Sequence, residues 1–254
     1  IKIQKGYGTL KLKKKIKKAL TYPIAVLCVA FIVTGILLIK VVPVFANTFS
    51  SFGANLPAFT LFVLNLSNLA QAHWWKIAGV AIIGSIAFSK AKETSQTFAD
   101  SVDRITLKVP IVGMIVNEAV IARIARTLST TFSAGVPLVE ALDSVSNAAG
   151  NAVYRDAVRR VRDDVTGGTM INVALRSSGV FPTLLIQMTA IGEESGALDT
   201  MLDKVASHFE AEVDNKVDNL TALLEPMIMS VLGILVGGLM IAMYLPIFQL
   251  GSVV

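Results

Sequence analysis

The first 92 residues contain no aspartate or glutamate, although they carry 12 lysines. Other absences are as telling. The single cysteine, Cys28, excludes an internal disulfide, and its place inside an apolar run says little about redox compartment. Only two histidines occur, His73 and His208. No Gly-x4-Gly-Lys-Ser/Thr stretch exists, which excludes a phosphate loop of that kind. Gly167-Gly168-Thr169 lacks both the lysine and a preceding strand. No serine sits in a nucleophile-elbow context. No strict alternation of apolar and polar residues competes for a strand. Charge is missing from Tyr22 to Ile39 and from Pro226 to Val254. Charged residues make up 16% of the 254-residue chain and hydrophobic residues 54%, too apolar for a typical soluble domain.

What is present is a repeat. Ala19-Leu20-Thr21-Tyr22-Pro23, an apolar run and Val42-Pro43-Val44-Phe45 stand near one end. Ala222-Leu223-Leu224-Glu225-Pro226, an apolar run and Leu245-Pro246-Ile247-Phe248 stand near the other. Within each pair the prolines are 20 residues apart, and all matches hold at an offset of 203, Gly35 falling on Gly238. Twenty helical residues rise about 30 Å, the thickness of a bilayer's hydrocarbon core. Each unit therefore reads as a membrane span with a proline near each edge. A shorter run, Ile77 to Ser89, follows His73, Trp74, Trp75 and Lys76, an interfacial pattern. Three transmembrane helices are expected, near 22–43, 70–90 and 224–247. A buried core helix is the alternative for the middle one, because its uncharged stretch is short.

Charge orients the spans. Eight lysines lie at positions 2 to 18, and Lys90 and Lys92 follow the second run. Residues 41–75 carry no Lys, Arg, Asp or Glu. The positive-inside rule places residues 1–20 and the chain after Lys90 in the cytoplasm, with 41–72 and the C-terminal tail outside. His73 and His208 then lie on opposite sides and cannot share a metal. The lysine cluster abuts a span, so anionic headgroups are its simplest partner. Nucleic acid is not expected, since no recognition motif accompanies the charge. A cleavable signal peptide is not expected either, because the first run is too long and lacks a small-residue cleavage pattern.

Residues 91–223 read as one all-helical cytoplasmic domain, a bundle of about six helices. Pro110 breaks one helical pattern. Ile115, Ala119, Ala122, Ala125 and Leu128 recur at helical spacing beyond it. Gly135-Val136-Pro137 makes a turn, with Pro137 opening the next helix. Gly150-Asn151 and Gly167-Gly168 end further helices, Thr169 is a candidate N-cap, and Phe181-Pro182 opens another helix. From Leu198, residues Met201, Leu202, Val205, Phe209, Val213, Val217 and Leu220 continue at three- and four-residue steps toward Pro226. Between the first two spans, residues 44–69 are expected to form an outer loop with an amphipathic helix, Leu56-Pro57-Ala58-Phe59-Thr60 reading as the helix start. Leu61 to Leu69 in it is amphipathic enough to lie on the membrane or to extend the second span.

Candidate sites are few. Asp199, Asp203, Glu210, Glu212, Asp214 and Asp218 make an acidic helical face. It is a weak candidate for Ca²⁺, through Asp199, Asp203, Glu210 and Asp214, or for a basic partner. A solvated exterior explains the same residues. Gly233 and Gly237 form Gly-x-x-x-Gly in the third span and would let another helix approach, or are ordinary membrane-helix glycines. Gly196 should supply a backbone conformation that side chains disfavour, with Glu193 or Glu194 capping the helix that follows. No acidic residue falls inside a span, which argues against a transporter. No acid, base or metal set supports a membrane enzyme.

Taken together, several stretches resemble one family. They are Arg123-Ile124-Ala125-Arg126-Thr127-Leu128, Gly135-Val136-Pro137-Leu138 and Phe181-Pro182, with Gly192-Glu193-Glu194-Ser195-Gly196-Ala197-Leu198 the most specific. Glu225-Pro226 and Tyr244-Leu245-Pro246-Ile247-Phe248 close the pattern, and Leu56-Pro57 with Thr60 also fits. The chain resembles the polytopic inner-membrane platform proteins of type IV pilus and type II secretion machines, nearer the pilus branch. The resemblance covers most of residues 19–250. It implies an all-α, multi-pass protein with three spans and two homologous cytoplasmic helical domains. On that plan residues 1–21 are the end of a first domain otherwise missing, 22–43 and 70–90 the first two spans, and 91–223 the second domain. Residues 224–247 are then the third span and 248–254 an outer tail. It also implies a non-enzymatic role without cofactors. The implied partners are an assembly ATPase, a retraction ATPase, pilins and inner-membrane alignment proteins. Homo-oligomers are implied too, a dimer among the options. The equivalent secretion-system platform, with pseudopilins as cargo, is the alternative. The helix from Leu198 into the third span is the expected lever.

Overall fold

A computed structural model describes residues 7–51 and 57–250. Lys2, Lys5, Leu56 and the tail 251–254 lie outside the described residues, as do the side chains of Lys11 to Lys18. Every regular element among the described residues is helical. Helix α1 spans Tyr7–Ile36, a π-helical turn Leu37–Val41, and α2 Val42–Ser51. Then come α3 Ala58–Thr94, α4 Gln96–Thr106, α5 Val112–Ser133 and α6 Leu138–Ala148. They are followed by α7 Ala152–Thr166, α8 Ile171–Ser178, α9 Thr183–Ser195 and α10 Leu198–Leu250. The chain divides into two compact units. One joins the residues up to Lys17 with Lys90–Asn219, and the other joins Lys18–Ser89 with the chain from Leu220 onward.

The first, helical unit is built on the three- and four-residue spacing of its apolar residues. Ile121, Ile124, Ala125 and Leu128 of α5 are fully buried against Leu142 and Val145 of α6 and Val158 and Val161 of α7. Ile171 and Leu175 of α8, Leu185 of α9 and Leu202 and Val205 of α10 complete the same core. Each large aliphatic side chain so buried stabilises the fold by about 1.5–3 kcal/mol before ordering costs. Local signals set the helix ends. Ser95 Oγ accepts from Phe98 N and opens α4, and Asn151 Oδ1 accepts from Val153 N and opens α7. Gly179 and Gly196 close α8 and α9 in the left-handed conformation. Thr169 is not the cap of α8. Met170 occupies that position without a side-chain cap bond, and the acceptor arrives from elsewhere in the fold.

The second, apolar unit has little interior. Val42, Val63, Leu239 and Ala242 form its buried cluster, with Leu37, Leu38 and Leu64 against them. Most of its large apolar side chains point outward: Phe31 is 63% exposed, Ile83 69% and Ile234 74%. Among the described residues two helical stretches are long and apolar enough to cross a membrane, Thr21–Phe45 and one within Leu198–Phe248. Residues 44–69, expected as an outer loop, are helical at both ends, since α2 runs on to Ser51 and α3 starts at Ala58. The amphipathic stretch Leu61–Leu69 is part of α3, which at 37 residues measures about 55 Å.

Candidate functional site

Among the motif residues of the helical unit, Arg126 bonds directly to α10. Arg126 leaves α5 and meets Asp203, Ser207 and Glu210, three residues on one face of α10. Its Nε and Nη2 donate to the two carboxylate oxygens of Glu210 at 3.0 Å each, a planar fork matched to a carboxylate. The Glu210 bond, aided by the Asp203 charge, raises the Arg126 pKa. Two of the four candidate metal ligands are therefore committed to a guanidinium. Asp199 accepts from Ser133 Oγ and from its own neighbour Thr200 N. Among the described residues no three His, Cys, Asp or Glu side chains gather closely enough to hold a metal ion.

The Gly192–Leu198 turn is held by long-range contacts. Gly196 has φ +70°, and Ala197 N donates to Gly192 O at 2.9 Å. A Cβ on Gly192 would stand 2.8 Å from Leu198 Cα, so that crossing needs glycine. Glu193 does not cap the helix that follows it. Its carboxylate accepts from Ile171 N at 3.1 Å and Asn172 N at 3.4 Å, at the start of α8. A helix N-terminus leaves such N–H groups unpaired and carries positive partial charge. This is the acceptor Thr169 was expected to supply. Ser195 Oγ bonds back to Ile191 O, and Leu198 is buried at the start of α10.

Arg123 lies deeper. Its Nη1 donates to Ala149 O at the end of α6, its Nε is buried without a partner, and burial lowers its pKa. The guanidinium fills the space a side chain at Gly150 would need, and Gly150 itself has φ +74°, so a substitute there would both strain the backbone and displace Arg123. Gly135 (φ +77°) turns the chain out of α5, Pro137 caps α6, Leu138 packs on the core and Pro182 caps α9.

A second constellation holds the apolar unit together and concerns its prolines. Proline has no N–H, so the carbonyl four residues earlier in a helix loses its partner. Pro246 orphans Ala242 O in this way, and the Thr60 hydroxyl of α3 donates to that carbonyl at 2.8 Å. Pro43 follows the π-helical turn, in which Val42 N donates to Leu37 O. Leu38 O can then use neither Val42, already engaged, nor Pro43. The Ser67 hydroxyl donates to Leu38 O, and Gln71 Nε2 donates to Ser67 Oγ. Thr60 and Ser67 are both buried and two turns apart on one face of α3. Sequence reasoning picked out Thr60 only as a motif match and missed Ser67. The available signal was that each outer proline requires a donor, and a seven-residue hydroxyl spacing provides two. A crevice of about 10 Å³ beside Thr60, Val63, Ala242 and Pro246 has room for about one water at most. Glu225 and Pro226 are exposed on α10, and among the described residues no neighbouring helix comes within 4 Å of where a side chain on Gly233 or Gly237 would begin.

The model of the family described as type II secretion system (T2SS), protein F, matches residues 124–246. The chain is 61% identical over 248 residues to the type IV pilus assembly protein PilC of Pseudomonas aeruginosa, covering 97% of this chain and 66% of that protein. It is 55% identical over 243 residues to the type IV pilus assembly protein TapC of Aeromonas hydrophila, covering 96% and 59%. Identity to the type II secretion system protein F of P. aeruginosa is 32% over 242 residues, covering 95% and 60%. The chain thus spans less than two thirds of the length of these curated relatives. The two constellations lie within a chain that belongs to the type II secretion protein F family, on its type IV pilus side.

Proposed function

We propose that this chain is the force-transmitting part of an inner-membrane platform of a type IV pilus machine. It crosses the bilayer three times, near 22–43, 70–90 and 224–247, with residues 91–223 as a cytoplasmic helical domain. That domain receives the movement of assembly and retraction ATPases, and the spans pass it to pilins entering or leaving the fibre. Alignment proteins, lipids and a second copy of the chain complete its surroundings. The observation that carries the reading is α10. It is one helix of 53 residues, about 80 Å, that supplies residues to both compact units. In the helical unit Arg126 grips it at three points, and in the apolar unit Thr60 bonds it beside Pro246. A displaced domain moves such a helix directly.

A Gly-Pro insertion at Asn215 tests this. It should abolish piliation while the protein still inserts and accumulates, and normal piliation would discard the lever. Site-specific crosslinking from 93–222 to a co-expressed assembly ATPase tests the partner. The secretion-system platform is the second reading. The lower identity to the secretion relative, 32% against 61%, favours pili. Complementation of a pilus-platform deletion against a secretion-platform deletion separates the two.

A further inference from the structure

The corner between α4 and α5 is an apolar tip. Ile105 is 63% exposed and Met114 54%, and Val109, Ile111 and Val112 between them are also exposed. Lys108 is the single charge from Ile105 through Asn117, and it too is exposed. Leu107, Lys108, Val109, Val112 and Gly113 each donate their N–H to a carbonyl of the same turn, and Pro110 has none to donate. Ile111 is held at φ +67°, a conformation that is costly for a β-branched residue and that turns the chain sharply enough to present the tip.

We propose that this tip docks into the surface of an anionic bilayer, with Ile111 and Met114 in the acyl boundary and Lys108 at the headgroups. Two features favour lipid over protein. The tip is aliphatic and lacks the Trp, Tyr and Arg that anchor protein interfaces. Its only charge is a lysine, which complements anionic headgroups. The tip also begins 11 residues after the end of α3, which keeps it on a short tether to Lys90 and Lys92. Docking there would give the helical domain a fulcrum on the membrane.

The inference rests on the membrane reading of the apolar unit, and its test separates the two. In a Cys28→Ala background, single cysteines replace Ile111, Met114, Arg160 or Ile234, are labelled with an environment-sensitive fluorophore, and the chain is reconstituted in anionic vesicles. Lipids brominated along the acyl chain should quench labels at 111, 114 and 234 but not at 160. Lys108→Glu, or vesicles of zwitterionic lipid, should reduce quenching at 111 and 114 alone. Quenching at 234 without quenching at 111 and 114 would overturn the docked tip and leave the spans intact. No quenching at 234 would overturn the membrane reading itself. Labels at 111 and 114 shielded from aqueous iodide but untouched by bromolipid would mark a protein-covered surface and also overturn the proposal.

Discussion

The two units of this chain place the same residue types in opposite ways. In the helical unit Ile121, Leu128 and Leu142 are at most 2% exposed, whereas in the apolar unit Ile83 and Ile234 are about 70% exposed. The helical unit hides its aliphatic side chains because water is their alternative. On the proposed membrane reading the apolar unit shows them because lipid is, and lipid gives no reason to prefer another helix. Cohesion therefore rests on different physics in the two halves. Dense packing serves the first. Close helix approach and hydrogen bonds to helix carbonyls serve the second.

The largest test of that contrast is a pair of truncations. Leu142→Ala should cost about 2–5 kcal/mol in urea unfolding of the detergent-solubilised protein, through lost burial and the cavity left behind. Ile234→Ala should change stability by less than about 0.5 kcal/mol, as for an exposed position. Equal losses would mean that the Ile234 face is covered, and the contrast would fail.

Alkaline titration probes the packed unit alone. Burial pushes the Tyr154 phenol up to about 12, and its hydroxyl donates to Asn117 Oδ1 and Val180 O. The fold binds this proton more tightly than the unfolded chain does. The associated stability is therefore complete below about pH 10 and lost as pH rises toward 12. Such a rise in pKa corresponds to about 3 kcal/mol at most. Tyr154→Phe should flatten the fall between about pH 10 and 12 in denaturation midpoints. A wild-type slope in the variant would show that another group titrates.

Arg126 links α5 to α10 at a half-exposed site, so its pairs are weaker than buried ones. Arg126→Gln should cost about 1–2 kcal/mol, more than an isolated surface pair because one fork serves two carboxylates. Adding Glu210→Gln to it should cost little more, since the pair is already broken. Additive losses would deny the coupling. If α10 is the lever, piliation should fall further in Arg126→Gln than in equally destabilised core variants.

Helical character and most helix breaks were legible, because proline and glycine act on the backbone where they stand. Pro110, Pro137, Gly167 and Pro182 fall at helix ends for that reason. Partners distant in sequence were not legible. Thr169 looked like the cap of α8 because it precedes the helix, yet Glu193 reaches the same N–H groups from 22 residues away. Glu193 looked like a local cap because local capping is the only kind a sequence displays. The acidic face of α10 suggested a cation, and the cation at Asp203 and Glu210 is Arg126, more than 70 residues away. The proline repeat itself was plain. Its chemical consequence, a carbonyl in need of a donor, was implicit in it and points to α3.

The smallest effects make the sharpest test of the apolar unit. Thr60→Val keeps the shape and removes the donor to Ala242 O, and Ser67→Ala does the same for Leu38 O. Each should cost about 1 kcal/mol, within the range of interhelical hydrogen bonds in membranes. The repeat supplies the control. Pro246→Ala restores an N–H that Ala242 O can use within α10, so Thr60→Val should cost almost nothing in that background. Pro43→Ala should likewise silence Ser67→Ala, and it should also let the π-helical turn relax into regular helix. The copies then differ in a predictable way. Around Pro246 the helix is regular and the orphan is the carbonyl four residues back. Around Pro43 the wider turn moves the orphan to five residues back. If Thr60→Val costs as much in the Pro246→Ala background as it does with the proline in place, the hydroxyl is packing rather than bonding, and the apolar unit coheres by contact alone.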